Sequence, residues 1–192
     1  MTTDAPARGY ESWRASGRFP PFLHREARHE AAHAVIAEVL GLSVVFVALS
    51  ARPDAERTHP IVRHLVPGRD DPRGQVRVAI VALAGSAADG RDWRRVRDAE
   101  GCGDRASARK AAEAVTDTRA EREALLNHLW AVARRLTSRH RAAIDRLAAA
   151  LLAEDTIPGQ RVRAIVADGP APRAIRAGPG AVTRRTRSTV AP

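Results

Sequence analysis

His29, Glu30 and His33 are the side chains in this sequence from which a metal-dependent hydrolase could be built, and they stand in the order His29-Glu30-Ala31-Ala32-His33. On a helix, positions four apart lie one above the other on the same face, so the two imidazoles can close on a single ion. Glu30 stands beside them, where its carboxylate can take a proton from a water that the ion polarises. The pattern predicts a zinc-dependent peptidase with His29 and His33 as metal ligands and Glu30 as general base. The plainer alternative is a pair of core or surface histidines on an amphipathic helix, with Glu30 a solvated charge.

The pentapeptide needs a helix, and its flanks supply one. Pro20 and Pro21 can start it, residues 34–40 continue it in apolar residues, and Gly41 ends it. Residues 42–49 are β-branched and bounded by Gly41 and Pro53, as in a buried strand. Such a strand beside the motif helix either holds an extended substrate by its backbone or is a plain core strand. The apolar run 31–51 contains His33, Glu38 and Gly41, which argue against a membrane span. A loop over 51–60 leads to a second short strand at 61–66, before Pro67-Gly68. Val76, Ile80, Leu83 and Ala87 then recur at helical steps toward Gly90. Further helices are expected from about Asp104, through Leu125 to Leu136, over 140–153, and over 158–166, the last entered through Thr156. The expected fold class is mainly α (α+β), a helical domain with a small β element. It spans residues 21–167, between a flexible arm (1–20) and a disordered, basic, Pro/Gly-rich tail (168–192).

Composition bounds the function classes. A chain of 192 residues with 44% hydrophobic content can bury one core without disulfide staples. Its single cysteine, Cys102, has no partner for an internal disulfide, which fits a reducing, cytoplasmic setting. Residues 1–20 contain no apolar run of the length a secretory signal needs. The net charge of +10 invites a nucleic-acid reading, but Lys110 is the only lysine and the arginines are scattered along helices and the tail. With three Trp, one Tyr and three Phe, a base-stacking platform is not expected either, and only a weak, salt-sensitive affinity for polyanions follows.

A zinc site with two histidines needs a third protein ligand and an open position for water. From the residues alone the candidates are Asp89, Asp98, Glu100, Asp104 and Glu113. Taken by itself, Asp104 suits a helix N-cap, because it follows Gly101-Cys102-Gly103 and precedes a helical run.

Over residues 22–166 the order of segments resembles the peptidase domain of the FtsH family of membrane-anchored ATP-dependent proteases. His29-Glu30-Ala31-Ala32-His33-Ala34-Val35 is similar to that family's H-E-A-G-H-A-[LV], with Ala32 in the place of glycine. Residues 80–89 are similar to its helix ending L-x-G-x-A-A-E, with Asp89 for the glutamate. Residues 101–108 are similar to its G-A-x-N-D-L-x-x-A, with Gly103 for the asparagine and Arg105 for the leucine, and residues 143–159 resemble its closing leucine-rich helix and E-T-[LI]-x-G turn. The resemblance implies Zn²⁺ as cofactor, Asp104 as third ligand beside His29 and His33, and Glu30 as catalytic base. The chain has no G-x-x-x-x-G-K-[ST] phosphate loop, so the substrates expected are peptides or unfolded proteins, cleaved independently of an ATPase of its own. A separate unfoldase or protease partner and a homo-oligomer are compatible with this, and the competing expectation is a non-catalytic relative that binds a metal or a partner. Of the remaining histidines, His24, His128 and His140 read as helix-surface residues. His59 and His64 fall near a Pro-flanked loop, where a surface role is the default and an auxiliary transition-state donor the sharper alternative. Cys102 reads as an inert thiol, reactive only if a nearby metal lowers its pKa.

Overall fold

A computed structural model describes residues 12–13, 15–49, 61–68, 70–98 and 103–168. Among these residues the elements follow in the order α1 (Pro21–Val39), β1 (Val44–Ala48), β2 (Ile61–His64), α2 (Pro72–Ala88), α3 (Trp93–Asp98), α4 (Gly103–Glu113), α5 (Arg119–Arg139), α6 (Arg141–Glu154), β3 (Thr156–Pro158) and α7 (Gly159–Ala167). The mainly helical class with a small β element is therefore as expected. Residues 169–192, expected as a tail, lie outside the described residues, as do residues 1–11 of the arm. Within that arm, Trp13 is half-buried and sets its ring edge against Phe22, with centroids 6.0 Å apart.

The motif helix is the axis of the fold. Pro21 occupies its first turn, where a missing N–H costs nothing, and Gly41 leaves it with φ +75°. Every residue from Glu30 to Ala37 is buried. That pattern belongs to a helix enclosed on all sides, and α2, α6, α7 and the sheet do enclose it. The second helix differs in the same way from the amphipathic stripe that Val76, Ile80, Leu83 and Ala87 predict. Residues 79–86 of α2 are all buried, because α1 covers one side while α4 and α5 cover the others. Alanine makes this possible: the small side chains of α1 and α2 let two enclosed helices approach closely while still filling the space between them.

Local chemistry sets the helix starts. Asp71 caps α2 by accepting the Gly74 N–H at 2.9 Å. Thr118 and Glu121 form a reciprocal capping box at α5. Helix α3, which the sequence reading passes over, is six residues long and begins where the Asp92 side chain accepts the Arg94 N–H at 2.7 Å. Trp93 on α3 stacks on Trp130 of α5 at a centroid distance of 5.4 Å.

The three strands form one antiparallel sheet in the order β2-β1-β3. The final helix expected over 158–166 is present, and only its lead-in differs: Thr156–Pro158 is an edge strand, with Ile157 opposite Val47 and both side chains fully buried. Helix α7 starts only at Gly159, which lies so close to the Val44 carbonyl that no Cβ would fit. β1 is paired on both sides, so the choice left open for it resolves to a core strand. β2 and β3 are the sheet's two edges, and the outer side of β2 meets no other strand among the described residues. No helix among the described residues is long and apolar enough to cross a membrane.

Candidate metal centre

The helical spacing of His29 and His33 sets their rings 4.8 Å apart at 75° on the face of α1 that meets α2. Each ring is held from behind. His29 Nδ1 lies 3.0 Å from Asp89 Oδ2, at the C-terminal end of α2, and His33 Nδ1 lies 2.7 Å from the Val81 carbonyl oxygen inside it. A carbonyl oxygen only accepts, so the hydrogen of His33 sits on Nδ1 and its Nε2 is the atom free to bind. The carboxylate of Asp89 imposes the same arrangement on His29.

Both Nε2 atoms point to one place, and Asp104 comes to it from the first turn of α4. Its Oδ2 lies 2.9 Å from His29 Nε2 and 3.2 Å from His33 Nε2, and the three donor atoms all fall within 4.8 Å of one another. A tetrahedral ion with bonds of about 2.0–2.1 Å has edges of about 3.3–3.4 Å, close to the two separations from Asp104 Oδ2. The structure thus brings together the three residues read as ligands. Asp104 stands in the first turn of its helix with its carboxylate turned to the histidines.

Of the rival ligands, Asp89 stands behind His29. Glu113 is at the far end of α4, paired with Arg109 (3.1 Å) and Arg122 (3.3 Å). Glu100, Cys102 and His59 lie outside the described residues, as does the side chain of Asp98. Ala32, between the two histidines, is fully buried, and its methyl group leaves the convergence of the rings intact.

Two features of the centre escape the sequence reading. One is the Val81 carbonyl, since a backbone atom carries no sequence signature. The other is Gly85, which lies beneath both rings: a Cβ there would overlap the Nε2 atoms of His29 and His33. A glycine inside an otherwise apolar helix is the signal that could have marked this close approach.

The electrostatics follow from the geometry. Burial alone would push the His29 pKa down from 6.5, but the hydrogen bonds with Asp104 and Asp89 outweigh it and raise the pKa to about 10. His33 shifts upward too, burial being outweighed by its bond to Asp104. The two imidazoles in turn hold the Asp104 carboxyl well below the usual range, against the effect of its own burial. Glu30 shifts upward because burial disfavours its charge more than the nearby histidines favour it. Its carboxylate has no hydrogen-bond partner among the described residues.

Glu30 faces a cleft of about 300 Å³, together with His33, Asp104 and Ser107. The other wall is apolar and comes from β2, the turn after it and α2: Val62, Val66, Val78, Val81 and Ala82, with His64 among them. A smaller hollow of about 170 Å³ opens on the His29 side of Glu30, lined by Arg25, Glu26 and Arg91. Two nitrogens, once their Nε2 hydrogens are given up, and one oxygen converging beside an open cleft can hold a divalent metal ion. The chain matches no protein-family model and no curated protein sequence.

Two outcomes follow. Gly85→Ala is expected to keep α2 helical, since alanine is the better helix former, and to lower metal affinity at least about tenfold; circular dichroism and metal titration check this, and unaltered affinity would contradict the close packing described. Metal must also displace the proton that His29 holds below about pH 10. Affinity should therefore climb between pH 6 and 9, by up to about tenfold per unit for each proton released, whereas a flat profile in titration calorimetry would contradict the bonds assigned to the ring.

Proposed function

We propose that this chain is a zinc-dependent metallopeptidase akin to the FtsH peptidase domain, which hydrolyses peptide bonds in peptides or unfolded proteins. The observation that carries the proposal is the meeting of His29 Nε2, His33 Nε2 and Asp104 Oδ2 beside an unengaged, buried Glu30. The donor set suits zinc, with nitrogen and carboxylate ligands on three sides and a cleft on the fourth. Zinc bound there supplies a Lewis acid that polarises the scissile carbonyl and acidifies a water.

The chain's residues account for the rest. Glu30 takes the proton as water adds to the carbonyl carbon, and gives it to the nitrogen as the C–N bond breaks. Burial suits Glu30 to both steps, because a carboxylate with a raised pKa holds a proton long enough to return it. β2 borders the cleft with an edge no other described strand covers, so an extended peptide can add to the sheet there by backbone hydrogen bonds. The valines of the cleft favour an apolar side chain next to the scissile bond.

Glu30→Gln should retain the metal and lose at least about 100-fold in cleavage of an unfolded protein. Digestion by that variant at the wild-type rate would refute the mechanism. A wild-type protein that binds one zinc yet cleaves no unfolded protein would instead favour the metal- or partner-binding module.

A further inference from the structure

His64 has no part in the arrangement described so far, yet it stands in the same cleft. It is the last residue of β2, in register with Val44, and the pairing of β1 and β2 fixes its backbone. Its side chain is half-buried and joins Glu30, His33 and Asp104 in lining a space of about 300 Å³. That volume is near the lower bound for a ligand cleft, so groups on its two walls face one another across a small ligand. His64 Nδ1 lies 3.2 Å from the Leu65 carbonyl oxygen, an acceptor, which leaves Nε2 as the ring atom available to a ligand. Among the described residues lining this cleft, His64 is the one side chain able to donate a hydrogen bond that is neither a member of the metal cluster nor as short as Ser107.

We infer that His64 is a further catalytic residue, whose ring, when both its nitrogens carry hydrogen, donates from Nε2 to the substrate carbonyl oxygen as that oxygen gains charge. The inference rests on the peptidase reading of the site. As water adds to the carbonyl carbon, the π electron pair moves onto oxygen, and a donor placed there stabilises the charged form more than the neutral carbonyl. The edge-strand position suits the role: a peptide lying along β2 brings its carbonyl groups past residue 64 while Glu30 approaches from the helix wall.

The test compares His64→Ala and His64→Gln with the wild type in the full-length, zinc-loaded protein. The readouts are kcat and KM on an unfolded protein or peptide, zinc content, and calorimetric affinity for a phosphinic peptide, whose tetrahedral oxyanion imitates the charged carbonyl. The expected result for His64→Ala is a loss in kcat of at least about tenfold with KM and zinc content unchanged, a matching loss of phosphinic-peptide affinity, and partial recovery of both in His64→Gln, whose amide still donates. If kcat and phosphinic-peptide affinity stay within twofold of wild type in His64→Ala while Glu30→Gln is inactive, the inference about His64 falls and the peptidase reading stands. Absence of zinc-dependent cleavage in the wild type overturns both.

Discussion

The site depends on one constraint, the close approach of α1 and α2 at Gly85. Two imidazoles from the same helix face can aim at a common point only if nothing occupies the space beneath them, and a single Cβ on α2 would fill it. The same approach brings the Val81 carbonyl and the Asp89 carboxylate within reach of the two Nδ1 atoms, so one helix supplies both the gap and the supports. The alanines of α1 and α2 therefore do more than fill a core: they set the distance at which the histidines are oriented.

The second consequence is electrostatic. Glu30, His33 and Asp89 are buried or nearly so, and Asp89 Oδ1 has no hydrogen-bond partner among the described residues. Leaving such an atom unpaired costs about 1–3 kcal/mol, and enclosing several ionisable groups costs more. A fold with this much alanine and leucine could stabilise the same helix packing with apolar residues at those positions. That it keeps two histidines, two aspartates and a glutamate together is the pattern expected where perturbed ionisation serves a site. The Arg91 guanidinium, 3.4 Å from Asp89, offsets part of the charge behind His29.

The elements that carry the site were legible in the sequence because their signals are local. Pro21 and Gly41 delimit α1, a 3.6-residue period marks α2, α5 and α6, and β-branched residues mark β1 and β2. Asp104 is a different case. It lies 75 residues from His29, and nothing local distinguishes it from a helix cap, so only a resemblance in the order of segments singled it out. What was missed has physical causes. A three-residue strand such as β3 owes its form to pairing with β1 rather than to its own sequence, and the six-residue α3 owes its place to the stacking of Trp93 on Trp130. Burial of α1 and α2 on all sides follows from their neighbours, which no single-helix pattern records.

X-ray absorption at the zinc edge, on protein loaded with one equivalent of the metal, tests the central claim most directly. The expected first shell is nitrogen and oxygen only, at about 2.0–2.1 Å, with the outer-ring scattering of two imidazoles and at least one carboxylate oxygen. A sulfur ligand at about 2.3 Å, or a shell with fewer than two imidazoles, would contradict it.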